Sequence, residues 1–314
     1  MRELGDDHSY RTMPTLPKKH RDAAKSAVEE TDAQYSFPEF VKHWLNSEYN
    51  KPAIENSIPR YPELDRNQVE KVVHFERICD GYTGWIRRGM WRRIVTNNLE
   101  EFAKFLLMQG RQGVVTFETD DEFDGEYTDL FNVLLPLLAV NDKSGLERYL
   151  SIAEFKTKSK QTLPMIYYAV GAILRGTPES QESFLKRNPP KSDSAATVGM
   201  VNAIKGILNN DGDAFKNGLT QFVMKYRSQF LFDYQKPYSV EAHGLFQLGR
   251  IANAELVEGF DVSSTSPWDS EFHCWLDSHD AKLETADFGD CPEEYSKPFL
   301  TLNCPEWYPK RNER

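Results

Sequence analysis

The sequence predicts a mainly α-helical protein built from antiparallel helical hairpins, arranged as a bundle or a short α-superhelix. Three observations predict it. Apolar residues recur at three- and four-residue spacing along most of the chain, short polar breaks interrupt them, and the breaks in the middle of the chain fall at offsets of 34 and 35 residues. A few short strands at most are compatible with this pattern.

Residues 1 to 35 are polar, mixed in charge and without apolar periodicity, which predicts a mobile segment that carries no chemistry. The helical domain is expected over 36–260. Pro52, Pro59 and Pro62 punctuate its start, so helix is expected to begin just after them. Asp65 is then placed to cap a helix from Arg66 through Cys79, with Val69, Val72, Val73, Phe75 and Ile78 as its apolar stripe. The next run carries Trp85, Ile86, Met90, Trp91, Ile94 and Val95, and the intervening Arg87, Arg88, Arg92 and Arg93 read as the solvated face of an amphipathic helix.

Leu130 to Val140 reads as a buried helix, broken at Asn141 and Asp142 before Leu146, Tyr149, Leu150 and Ile152. Met165 to Leu174 closes at Arg175-Gly176-Thr177. Val198 to Leu208 closes at Asn209-Asn210-Asp211, followed by Phe215, Leu219, Phe222 and Val223. Ala172-Ile173-Leu174 aligns with Gly206-Ile207-Leu208 at an offset of 34, and Leu138-Ala139 lies 35 residues before Ile173-Leu174. Helix-turn-helix repeats have this length, and so do plain antiparallel helices of similar size.

The chain carries a net charge of -10, and from Glu255 to Glu294 twelve acidic residues face Lys282 alone. Nucleic-acid binders concentrate lysine and arginine on one face, so a basic protein partner is expected and a nucleic acid is not. The first residues lack the apolar core of a secretory signal, and no run approaches the ~18 apolar residues of a membrane span. The expected location is the cytoplasm, away from membranes. Four scattered cysteines read as reduced thiols.

No catalytic signature is assembled. The seven histidines show no metalloprotease spacing, no phosphate-binding glycine loop is present, and Cys274 between His273 and His279 lacks the paired spacing that zinc requires, so neither cofactor nor metal is expected. Asp120, Glu122, Asp124 and Gly125 resemble a calcium loop, but Phe131 stands where the bidentate glutamate belongs. Asp120, Asp121, Glu122 and Asp124, interleaved with Phe123 and Tyr127, read either as a solvated loop or as an acidic docking surface with aromatic anchors. A second acidic and aromatic group, Asp261, Trp268, Asp269 and Glu271, opens an extension over 261–314 that is expected to pack on the helical domain.

The stretch Tyr238-Ser-Val-Glu-Ala-His-Gly-Leu-Phe-Gln-Leu-Gly-Arg-Ile-Ala-Asn, with Phe260, Asp261, Pro267 and Trp268 after it, resembles the C-terminal region of bacterial immunity proteins of polymorphic toxin systems, nearest the immunity protein 49 family. The resemblance covers about thirty residues. It implies an α-helical protein that binds and neutralises a cognate toxin without catalysis. Glu241, His243, Gly244 and Arg250 match the family motif and are expected to be structural. Independently, Val240, Leu245, Leu248, Ile251 and Ala252 form the expected buried stripe of a terminal helix, with Gly244 allowing a close neighbour. A helical-repeat scaffold, and an enzyme whose site assembles from distant carboxylates and His243, are the alternatives.

Overall fold

The computed structural model describes residues 37–48, 50–79, 84–117, 126–153, 161–177, 184–229, 234–263, 266–278 and 291–309, with a few isolated positions beside them, and its regular elements are all helices. No strand occurs among them. The expected N-terminal segment 1–35 lies outside this set apart from isolated positions. In chain order the helices are α1 Phe37–Leu45, α2 Asn50–Ser57, α3 Arg66–Cys79, α4 Gly84–Val95 and α5 Leu99–Thr116. Then α6 Glu126–Asp129 runs through a π turn, Leu130–Leu134, into α7 Leu135–Ala139. They are followed by α8 Lys143–Ile152, α9 Thr162–Arg175, α10 Ala195–Leu208, α11 Gly212–Lys225, α12 Val240–Ala252, α13 Ser270–Ser278 and α14 Glu293–Thr301.

Local chemistry sets the ends of these helices. Asp65 Oδ1 accepts the Gln68 N–H at 2.9 Å while Gln68 Oε1 accepts the Asp65 N–H at 2.8 Å, so two otherwise orphaned donors at the start of α3 are satisfied reciprocally. Asn98, Ser194, Asp211 and Ser239 each cap the helix that follows with a side-chain oxygen. Three central breaks share one device. Asn141, Gly176 and Asn210 turn left-handed, and the next residue's N–H returns to Leu137 O, Ala172 O and Gly206 O respectively. Asparagine and glycine tolerate positive φ, so these helices end where the sequence places the polar breaks. The expectation for Pro52 does not hold. Helix α2 starts at Asn50, before it, because a proline in the first turn lacks only an N–H that has no helical partner there.

Helices α10 and α11 form an antiparallel hairpin held at backbone contact. A Cβ at Gly199 would lie 2.5 Å from Phe222 N, while Gly218 abuts the backbone of Ala203 and Gly206 that of Phe215, so the pairing runs in opposite directions along the two helices. Helix α12 is buried from Val240 to Gly249 and packs on α7, α9, α10 and α11. In an open superhelix each hairpin touches only its neighbours; a helix touching α7, some hundred residues earlier, makes this a bundle. A Cβ at Gly244 would lie 2.6 Å from Leu135 O, so the absent side chain permits the α7–α12 approach.

Two expectations for α12 fail. It is central and not terminal, and its stripe does not extend to Ile251, which is 48 % exposed, or to Ala252. Ala242 and Phe246 are buried instead. The C-terminal residues interleave with the core. Trp268 joins the cluster of α10, α11 and α12; Phe272 and Leu276 join that of α4 and α5; Tyr295, Phe299 and Tyr308 join that of α3.

Candidate functional site

The residues singled out in the sequence converge, in part, where α4, α12 and α13 meet. Helix α4 presents Arg93 inward, and its side chain is 0 % exposed. Its Nε and Nη2 donate to Asp269 Oδ2 and Oδ1 at 2.5 and 2.8 Å, and Nη2 also donates to Glu271 Oε2 at 2.8 Å. Nη1 donates to Asn97 Oδ1, and the guanidinium lies over the Tyr238 ring, 4.9 Å from its centroid. Burial opposes the cation, yet the hydrogen bonds and charge of Asp269, with Tyr238 and Glu271 adding to them, raise the guanidinium above its ordinary range.

Asp269 also organises its own segment. Its Oδ1 accepts the Phe272 N–H at 3.1 Å and so caps α13, while its N–H donates to His243 Nε2 at 3.3 Å. Burial holds His243 neutral and lowers its pKa to about 3, so with Nε2 accepting, Nδ1 carries the proton. Trp268 stacks on the imidazole at 4.1 Å, and Phe272 meets it edge-on at 5.2 Å. On the first turn of α12, Ser239 Oγ donates to Glu241 Oε2 at 3.1 Å, and Tyr226 also hydrogen-bonds that carboxyl; burial raises its pKa. At the far end Arg250 forms a two-pronged pair with Asp277, at 2.6 and 3.1 Å, which holds the Asp277 carboxyl below its ordinary value.

This network fastens α13 and the preceding turn to α4 and α12; it is poorly suited to proton transfer. His243 is 3 % exposed and neutral over the physiological range, and the buried cation is fully paired. Glu241, His243 and Gly244 serve packing, and Arg250 is half-exposed.

The expected partner-facing residues fare differently. Asp269 is 0 % and Trp268 7 % exposed, so neither can face a partner: the anticipated surface carboxylate is consumed by Arg93, and the anticipated anchor by His243. Glu271 is half-buried against Arg93. Asp261 is exposed. Asp120, Asp121, Glu122, Phe123 and Asp124 lie outside the described residues, and so does the side chain of Tyr127, whose backbone belongs to α6.

The arginines of α4 require a correction. Arg88 and Arg93 are buried and Arg87 and Arg92 half-buried, so they form no solvated face. Arg88 lies 5.7 Å from the Trp85 ring centroid and Arg92 4.7 Å from that of Trp91.

Two further buried groups had no counterpart in the sequence reading. Tyr149 donates to Asp129 Oδ2 at 2.7 Å and shares a hydrogen bond of 2.7 Å with Tyr167, at the point where α6 enters the π turn. Burial raises the Asp129 carboxyl to about 6, although the bond from Tyr149 acts in the opposite sense, and burial raises both phenols. Arg111 grips Asp142 at 2.8 and 3.1 Å and donates to Phe299 O at 3.3 Å, while Arg148 donates to Leu302 O at 3.2 Å, tying the end of α14 to α5 and α8. For the second group the sequence does carry a signal, Arg111 inside the apolar run of α5; for the first, only tyrosines at apolar positions mark the place.

What the surface offers is an acidic edge. Asp211 and Asp213 open α11, which abuts the 3-10 turn Ala254–Val257: a Cβ at Gly212 would lie 3.8 Å from Leu256 Cα. Lys216 crosses from α11 to Glu258 O at 3.3 Å. Asp211, Asp213, Glu255, Glu258 and Asp261 are all exposed there. Among the described residues no group of histidine, cysteine and carboxylate side chains is placed to hold a metal ion. Comparison with family models, with curated proteins and with solved structures returns no match.

Proposed function

We propose that this chain is a toxin-neutralising immunity protein, a binding protein and not an enzyme, which covers a basic surface of its cognate toxin with an acidic one. The observation that carries the reading is the edge formed by Asp213 on α11, Glu255 in the 3-10 turn, and Glu258 and Asp261 in the segment that follows it, with Lys216 as the basic side chain that crosses it and lies 3.9 Å from Asp213 Oδ1. Fixed like charges of this kind steer an oppositely charged partner and raise its rate of encounter. The likeness of Tyr238 to Asn253 to immunity proteins supplies the partner class. A toxin acting inside the cell is met in the cytoplasm, and no described helix is long and apolar enough to cross a membrane.

The test is joint reversal of Asp213, Glu255, Glu258 and Asp261 to lysine, leaving Asp211 in place because it caps α11. Binding to the toxin encoded by the neighbouring gene is measured at low and high salt, beside survival of cells expressing that toxin. Association of the parent slows as salt rises, and the variant binds slowly at any salt and fails to protect. A variant that binds and protects as the parent does overturns the acidic-edge reading; absence of any toxic neighbour that the parent neutralises overturns the immunity reading.

A further inference from the structure

A cleft far in sequence from the acidic edge opens between α2 and α3. Ala53, Asn56, Ser57 and Arg60 recur at helical spacing along one face of α2 and the 3-10 turn that continues it, and Val73, Glu76 and Arg77 do so on α3. Together they line a space of about 320 Å³. Ala53 and Val73 are its apolar lining residues, and Asn56, Ser57, Arg60, Glu76 and Arg77 its polar ones.

The carboxylate is held in advance of any ligand. Tyr61 and Tyr308, 2 % and 6 % exposed, both donate to Glu76 Oε1, at 2.9 and 3.0 Å. They fix the group through one oxygen, and Oε2 has no hydrogen bond among the described residues. Arg60 is exposed and has neither ion pair nor hydrogen bond among the described residues. A cleft lined by both an oriented carboxylate, Glu76, and an exposed guanidinium, Arg60, suits a ligand that carries both charges, because each end meets its opposite and neither is left desolvated alone.

We propose that this cleft binds a free α-amino acid in its zwitterionic form. Its carboxylate lies against Arg60, its ammonium donates to Glu76 Oε2, and its side chain rests on Ala53 and Val73. Asn56 and Ser57 supply the remaining polar contacts. The proposal is independent of the toxin-binding reading, since none of these residues belongs to the acidic edge.

The test titrates the full-length protein calorimetrically with each of the twenty common L-amino acids. Those that bind are then tested with the amine acetylated or the carboxylate amidated. At least one amino acid is expected to bind with a Kd of about 1 mM or tighter, and blocking either end is expected to weaken it about tenfold or more. Glu76→Gln keeps an oxygen acceptor for both tyrosines, and Arg60→Ala alters an exposed side chain, so both variants are expected to melt as the parent does while losing the same tenfold affinity. The proposal is overturned if no amino acid binds, if the acetylated form binds as well as the parent ligand, which would mark a site for carboxylate alone, or if Glu76→Gln binds unchanged.

Discussion

Replacing Asp129 with asparagine should remove a defined pH dependence from the stability of the protein. The carboxyl is 5 % exposed, and burial raises it from 3.8 to about 6. A folded-state value above the unfolded one means that the native state holds the proton more tightly. Its contribution is therefore complete below the unfolded value and is lost as pH climbs through about 6. At about 1.4 kcal/mol per pH unit the whole difference is about 3 kcal/mol, of which about 2 kcal/mol falls between pH 4.5 and 7.5. The amide of Asp129→Asn retains an oxygen to accept the Tyr149 hydroxyl and does not titrate. Urea unfolding across that interval should show the variant gaining about 2 kcal/mol on the parent as pH rises. Tyr149→Phe, which deletes the bond that favours the ionised carboxyl, should move the parent's transition to higher pH. A parent-to-variant difference that stays constant across the interval would overturn this account, because it would place the carboxyl at its ordinary value in the folded protein.

Asp269→Ala should cost about 3–5 kcal/mol in unfolding experiments, since it strips a fully buried guanidinium of its two-pronged partner and α13 of its cap. Arg250→Ala, which breaks an ion pair whose members are 34 % and 41 % exposed, should cost about 1 kcal/mol or less by the same measurement. Gly206→Ala should destabilise by about 1–3 kcal/mol, because the new methyl group meets the Phe215 backbone and no rotamer change relieves it. The ring resonances of His243, followed by NMR, should not move between pH 5 and 8, as a pKa of about 3 leaves the imidazole neutral throughout; a midpoint inside that range would show that the ring is hydrated.

The order of amino acids was enough to specify what short-range chemistry controls. Asp65, Gly176 and Asn210 mark helix ends because capping and left-handed turns depend on a residue and its immediate neighbours, and the stripe from Val69 to Ile78 is buried because its spacing repeats with the helix. What each helix packs against was settled in three dimensions. Periodicity shows that a face is buried but not its partner, so α12 read as terminal when it lies at the centre, and offsets of 34 and 35 residues were compatible with an open superhelix when α12 closes the chain into a bundle. The same limit governs charge. Arg93 and Asp269 look like surface residues in the sequence because burial of an ion costs too much unless an opposite charge is present, and the partner is 176 positions away. Folding supplies that proximity, and with it the choice of which carboxylates are spent inside the protein and which, such as Asp261, are left to face solvent.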